Sequence, residues 1–283
     1  MVRIAIIGGG NMGEALLSGL LRAGRPVKDL VVSEKAPERA EYLAQTFSVQ
    51  VASLADAVAN AGFVILAVKP PDLDPVLADF AAAAAEAEGD SAEQVLVSVV
   101  AGMTTAYYEA RLTAGSPVIR VMPNAPVLVG AGVSALAAGR FATAAQLEEA
   151  AELFRCVGTA LTVPESQIDA VTAVSGSGPA YFFLFLEALV DAGVANGLNR
   201  AVATNLAVQT MAGSAEMMME RLESTVGDRP DTTAAELRAL VTSPGGTTAA
   251  GLHELESGGL RTALADAVRA AKTRAEQLGT TSE

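Results

Sequence analysis

The stretch Arg3-Ile4-Ala5-Ile6-Ile7-Gly8-Gly9-Gly10-Asn11-Met12-Gly13 constrains this chain more than any other. Ile4 to Ile7 is an unbroken apolar run, as a parallel strand buried on both faces requires. Gly8, Gly10 and Gly13 then stand at G-x-G-x-x-G spacing. From Gly13 onward Leu16, Leu17, Leu20 and Leu21 recur on one helical face, and Gly24 stops the pattern. In such a strand–turn–helix unit the first glycine permits the tight turn. The second lets backbone approach a pyrophosphate, and the third lets helix pack close to strand. The helix N-terminus offers unpaired N–H groups and a partial positive charge to the phosphates. The expected site is therefore one for a dinucleotide, and the competing reading is a plain structural turn.

Length and composition set the limits around that site. A chain of 283 residues suggests two domains, and 51% hydrophobic residues supply a core. The formal net charge of -13 argues against a nucleic-acid partner. It also makes any anionic substrate depend on local backbone dipoles, because the bulk field repels it. The single Cys156 cannot form an internal disulfide, which fits a reducing cytoplasm, and its apolar surroundings suggest an inert thiol. The N-terminal apolar run is too short for a secretory segment. The most apolar later stretch, Ala180 to Val190, is interrupted by Glu187 and falls short of the ~20 apolar residues of a membrane span. No membrane partner is expected.

Along the chain, apolar strands are expected near 29–34, 49–51, 62–70, 94–102, 118–124 and 128–137. Helices are expected at 39–47, 54–60, 76–85, 107–112 and 146–157, with a polar connection at 86–93. This alternation implies a doubly wound α/β sheet of Rossmann type over residues 1–163. Beyond Val163-Pro164-Glu165 the strand signals nearly vanish. Helical patterns follow at 165–174, 179–196, 200–222, 233–240, 247–257 and 259–278, with a polar loop at 223–233, so residues 164–283 are expected to be all-α. The helix from Pro179 carries Phe182, Phe183, Leu184, Phe185, Leu186, Leu189 and Val190 around most of its circumference. A helix apolar all round must be covered all round, and a small helical domain has little interior to do it. A second subunit is the expected cover, which makes the protein an obligate homo-oligomer.

The distribution of reactive side chains is restrictive. Lysines occur only at 28, 35, 69 and 272, and His253 is the single histidine. With one His and one Cys there is no zinc site of ordinary composition and no Cys–His nucleophile pair, and no metal is expected. His253-Glu254 does not open H-E-x-x-H, since position 257 is Ser. Ser175-Gly176-Ser177-Gly178-Pro179 is not G-x-S-x-G and follows no convincing strand. Its glycines and Pro179 do give a free helix N-terminus, suited to close packing or to an anion. Thr242-Ser243-Pro244-Gly245-Gly246-Thr247-Thr248 opens another helix with Pro, two Gly and a cluster of hydroxyls. It reads either as a small carboxylate or phosphate pocket or as an N-cap made by Thr247 or Ser243.

Taken together, Gly8-Gly9-Gly10-Asn11-Met12-Gly13, Ala67-Val68-Lys69-Pro70, Met122-Pro123-Asn124, Ser175-Gly176-Ser177-Gly178-Pro179-Ala180-Tyr181 and Ser243-Pro244-Gly245-Gly246-Thr247-Thr248 resemble the pyrroline-5-carboxylate reductase family. The order and spacing agree over nearly the whole chain. The resemblance implies reduction of 1-pyrroline-5-carboxylate to L-proline with NADPH or NADH, the last step of proline synthesis. It implies a Rossmann domain followed by an all-α dimerisation domain, with a homodimer or higher oligomer as the assembly. Carried across by motif, Gly8, Gly10, Asn11, Met12, Gly13, Ala67, Val68, Lys69 and Pro70 hold the cofactor, joined by Ser33, Glu34 and Lys35 at the end of the second strand. Ser243, Gly245, Gly246, Thr247 and Thr248 hold the substrate. Thr248 and Ser243 are the expected catalytic residues, with Thr248 near the ring nitrogen. The substrate half is expected to be completed across a subunit interface.

The chemistry is consistent with so few reactive side chains. A protonated cyclic imine is already a strong electrophile, so the protein has mainly to orient and desolvate it. A β-hydroxyacid dehydrogenase, the main alternative within the fold, needs a lysine on the helix after Pro179, and none is there. A cofactor-binding sensor without catalysis is the alternative from another class, and the Ser243–Thr248 cluster argues against it. One residue departs from an NADPH site. Glu34 follows Gly13 at about the ~20-residue interval where an acid holds the ribose 2′-hydroxyl of NAD, and it would repel a 2′-phosphate unless Lys35 and Arg39 swing inward. Asp231, Glu236 and His253 read either as rim residues of the substrate site or as surface positions.

Overall fold

A computed structural model describes residues 2–86, 94–223, 225–226, 229–230 and 233–280. The chain divides into two compact units, one of residues 1–179 with 268–283 and one of residues 180–267.

The first unit opens with β1 (Arg3–Ile7), α1 (Asn11–Arg22), β2 (Leu30–Ser33), α2 (Pro37–Phe47), β3 (Gln50–Val51), α3 (Leu54–Val58) and β4 (Ala61–Leu66). It continues with α4 (Leu73–Glu86), β5 (Val95–Ser98), α5 (Thr105–Glu109), β6 (Val118–Pro123), β7 (Gly132–Ala138), α6 (Ala144–Arg155) and β8 (Gly158–Thr162). The strands form one sheet in the order β3-β2-β1-β4-β5-β6-β7-β8. From β3 to β6 all pairs are parallel. The doubly wound reading therefore holds, and the order reverses direction between β1 and β4.

The continuous apolar runs are explained by burial on two faces. Ile4 and Ile6 pack with Leu16, Leu17, Leu20, Val32 and Ile65 in one core cluster. Ala5 and Ile7, pointing the other way, pack with Val31, Val64, Leu66 and Leu77 in another. Each fully buried leucine of α1 contributes roughly 1.5–3 kcal/mol by leaving water.

Two features at the far edge of the sheet depart from the expected all-parallel sheet. β7 pairs antiparallel to β6, with Met122 opposite Ala135. The connection at 124–131 is a 3-10 turn closed by Gly130 in the left-handed region, far shorter than the dozen or more residues of a parallel crossover. β8, which the sequence pattern does not announce, then pairs parallel to β7. It is a partly exposed edge strand with polar residues, so it has no apolar run to betray it.

After β8, a 3-10 turn (Glu165–Gln167), α7 (Ile168–Val171) and a π turn (Thr172–Gly176) lead into α8 (Gly178–Ala195). Then come α9 (Arg200–Glu223), β9 (Thr225–Val226), β10 (Arg229–Pro230), α10 (Ala234–Leu240), α11 (Thr247–Ser257) and α12 (Leu260–Thr280). The expected loop at 223–233 thus contains a short antiparallel β9–β10 pair. Asp231 and most of the expected connection at 86–93 lie outside the described residues.

The boundary between the compact units falls inside α8 and inside α12. Residues 165–179 and 268–283 group with the sheet, whereas the domain line expected from sequence lies at 163/164. In the second unit, Val190 of α8 is buried against Ala203 and Ala207 of α9. Leu186 and Val194 pack partly against the same cluster, whereas Phe182, Phe183 and Leu184 are uncovered within the chain, 62–68% exposed. By length and composition alone the helical run 165–195 would also suffice to cross a membrane.

Candidate active site

The crevice where the strand order reverses is the place where open α/β sheets bind ligands, at the C-terminal ends of the strands. Loops after β1, β2 and β4 meet there. Ala67 donates its N–H to Ile7 O at 2.8 Å, and Gly8 donates to Ser33 O at 2.8 Å, so the three strand ends are tied together. The structure thereby gathers Gly8–Gly13, Ser33–Lys35 and Ala67–Pro70, which lie far apart in sequence.

Three glycines of the loop have a visible steric reason. Gly8 has φ +101°, and a Cβ there would stand 2.7 Å from Ala67 O. A Cβ at Gly13 would stand 2.0 Å from Gly8 O, so only glycine allows α1 this close to the strand. At Gly9 a Cβ would meet Leu43 Cδ1 at 2.3 Å, a constraint the G-x-G-x-x-G spacing does not express. At Gly10, by contrast, a Cβ would meet nothing within 4 Å. Gly10 is the N-cap of α1, without a side-chain cap, and the first intrahelical bond runs from Glu14 N–H to Gly10 O at 2.8 Å. The amides of Asn11, Met12 and Gly13 precede that bond and face the helix N-terminus. Open space before a donor-bearing helix end fits a pyrophosphate.

At the end of β2 the Glu34 carboxylate is held at both oxygens. Gly9 N–H donates to Oε2 at 2.8 Å and Ala36 N–H donates to Oε1 at 2.8 Å. Lys35 turns to Asp72, on the turn after β4, at 2.5 Å. Arg39 donates to Gly9 O at 2.6 Å, pairs with Glu14 and lies 4.9 Å from the centroid of the Tyr42 ring.

On the other flank, the structure joins two motifs that the sequence could only juxtapose by resemblance. Asn124, just past β6, donates from Nδ2 to Ser175 Oγ at 3.2 Å and accepts at Oδ1 from Val133 N–H at 2.8 Å. Ser175 lies in the π turn, a distortion frequent at functional sites. A Cβ on neighbouring Gly176 would stand 2.8 Å from Met122 Cε. Beneath this pair Arg120, 4% exposed, lies 3.5 Å from Glu165 and 3.4 Å from Asp169. Glu165 also accepts from Thr105 N–H at 2.6 Å and from Thr105 Oγ1 at 2.5 Å. Sequence reading missed this network. Its only signal is an arginine inside the otherwise apolar strand Val118–Pro123.

The second unit, taken by itself, carries the Ser243–Thr248 loop. Gly246 N–H donates to Ser243 O at 3.0 Å, and Gly245 has φ +67°. This is a reverse turn with Pro244 and Gly245 at its centre, and the positive φ requires glycine. Gly246 is the N-cap of α11 and no side chain caps the helix. The alternative in which Thr247 or Ser243 serves as the cap is therefore not realised. The amides at the start of α11 stay open beside the hydroxyls of Ser243, Thr247 and Thr248, all exposed within the chain. Such a loop can hold a carboxylate.

Other residues singled out from sequence have ordinary settings. Glu236 accepts from Arg221 at 3.0 Å, and His253 lies exposed on α11. Burial pushes the Cys156 thiol up to about 11, and its Sγ contacts Leu153 O at 2.8 Å, as expected of an inert thiol. Among the described residues no cluster of His, Cys, Asp and Glu is arranged to hold a metal.

Comparison with known proteins places these geometries in context. The family model described as pyrroline-5-carboxylate reductase dimerisation matches residues 165–278, and that described as NADP oxidoreductase, coenzyme F420-dependent, matches residues 3–102. A pyrroline-5-carboxylate reductase of Mycobacterium tuberculosis is 67% identical, covering 100% of this chain and 99% of the relative. One of Mycobacterium leprae is 64% identical over the same shares. Among solved structures, a pyrroline-5-carboxylate reductase from Coxiella burnetii aligns with a TM-score of 0.88 at 34% identity, covering 98% of each chain. A Plasmodium falciparum pyrroline carboxylate reductase with NADP bound aligns with a TM-score of 0.80 at 28% identity, again over 98% of each chain.

Proposed function

The chain belongs to the pyrroline-5-carboxylate reductase family, and we propose how its own residues carry that reaction. It is an NAD(P)H-dependent oxidoreductase acting on a C=N bond, reducing 1-pyrroline-5-carboxylate to L-proline in a homo-oligomer. Residues 1–163 serve as the cofactor-binding domain and residues 164–283 as the substrate-binding and dimerisation domain, a division supported by the dimerisation match over 165–278. The free thiol of Cys156 supports a cytoplasmic setting.

The Gly8–Gly13 loop fits a dinucleotide, because Gly10 leaves open space before the donor end of α1. Asn11, Met12 and Gly13 would hold the pyrophosphate through their amides, and Ala67 to Pro70 would flank the bound group. When bound, the nicotinamide supplies a hydride for the imine carbon.

The observation that carries the substrate reading is the uncapped start of α11. Its free amides, with the Ser243 and Thr247 hydroxyls, bind the substrate carboxylate, and the positive end of the helix offsets a net charge of -13 locally. The Thr248 hydroxyl oxygen accepts a hydrogen bond from the protonated ring nitrogen and so fixes the ring. Protonation of the imine nitrogen precedes reduction, so no general acid is needed there during hydride transfer to the carbon. The protein contributes orientation and exclusion of water. Addition of 1-pyrroline-5-carboxylate to protein and NADH or NADPH should deplete nicotinamide absorbance and form L-proline in equal amounts. Absence of both changes would overturn the reading.

A further inference from the structure

The end of β2 is the ribose-reading position of this fold, and here it holds a fixed anion. Glu34 cannot turn away without giving up two backbone donors, since Gly9 and Ala36 each hold one of its oxygens at 2.8 Å. A Cβ at Gly9 would lie 3.2 Å from Glu34 Oε2, so the carboxylate sits directly against the glycine loop. The two nearest cations are engaged elsewhere. Lys35 is drawn across to Asp72 at 2.5 Å, and Arg39 is spent on Gly9 O and on Glu14. Lys69 lies on the loop after β4.

We propose that Glu34 makes this site selective for NADH over NADPH, with the Lys35–Asp72 pair withholding the cation that a 2′-phosphate would need. The carboxylate accepts from the free ribose hydroxyl of NADH, and the same carboxylate repels the 2′-phosphate of NADPH. The proposal rests on the dinucleotide reading of the Gly8–Gly13 loop.

The test is equilibrium titration with NADH and with NADPH, followed by nicotinamide fluorescence, without substrate. Wild type should bind NADH at least about tenfold more tightly, the scale of one like-charge contact near a protein surface. Glu34→Ser should tighten NADPH and weaken NADH, reversing the order. Asp72→Asn should release Lys35 and tighten NADPH alone. Glu34→Gln, which keeps an acceptor for one backbone amide, should narrow the ratio if the serine variant does not fold. Equal or tighter binding of NADPH by wild type, or a ratio unmoved by the substitutions, overturns the selectivity alone. Binding of neither dinucleotide overturns the loop's assignment, and the selectivity with it.

Discussion

A Cβ added at Gly13 would stand 2.0 Å from the carbonyl oxygen of Gly8, inside any real contact distance and against backbone that cannot swing aside. Gly13→Ala should therefore push α1 off the strand. The expected cost is about 1–3 kcal/mol of stability, as for other overpacked sites, together with weaker dinucleotide binding, read by denaturant titration and fluorescence. Thr248 offers the opposite case, because its side chain is exposed within the chain. Thr248→Ala should leave the melting temperature unchanged while lowering kcat roughly 10–100-fold, the worth of one hydrogen bond to a charged group. Unchanged steady-state kinetics would remove Thr248 from the reaction. The glycines were legible at this scale because backbone geometry dictates their spacing. The double grip on Glu34 was not, since no pattern in the sequence announces that residues 9 and 36 donate to one carboxylate.

Among the elements, the junction of β6 with the 3-10 turn at Glu165 and α7 rests on a charge cluster around the buried Arg120. Arg120 is 4% exposed and faces Glu165 and Asp169, and Glu165 also takes both donors of Thr105. Glu165→Gln would remove one compensating charge and weaken the bonds from Thr105. The expected loss is about 1–3 kcal/mol, seen as a lower urea midpoint with an unchanged slope. Glu148→Gln, on the solvent face of α6, should leave the midpoint where it was. The elements themselves were largely legible: β1, β2, β4, β5 and β6 are apolar runs because both faces are covered. The direction of β7 was not, because an apolar run looks the same in either sense and only the short turn at 125–129 fixes it. β8 escaped notice for lack of an apolar run, and Arg120 for lack of any local partner. The turn at Ser243–Gly246 was legible as a turn, yet its freedom from a side-chain cap was decided by geometry.

For the whole molecule, the uncovered face of α8 is the decisive surface. Phe182, Phe183 and Leu184 are exposed in the single chain, and the family's dimerisation region spans them. Contiguous exposed aromatics of this kind mark an interface. Sedimentation should find a dimer or larger assembly at micromolar concentration. Phe183→Glu should shift it toward monomer, because a charge would be buried without a partner. A stable wild-type monomer would contradict the oligomer. The absence of a polar face made this surface legible from sequence, since a helix apolar all round has no solvent face. The extent of the first unit was not legible, because nothing in a C-terminal helical pattern says which body it joins. The end of α12 returns to the first unit, where Ala275 is buried and Leu278 packs beside Gly102. That return has a consequence for biosynthesis. The sheet and its glycine loop are translated before the second unit, but the residues that cover Gly102 are translated after it. The first unit therefore reaches its final packing only after α12 has been synthesised.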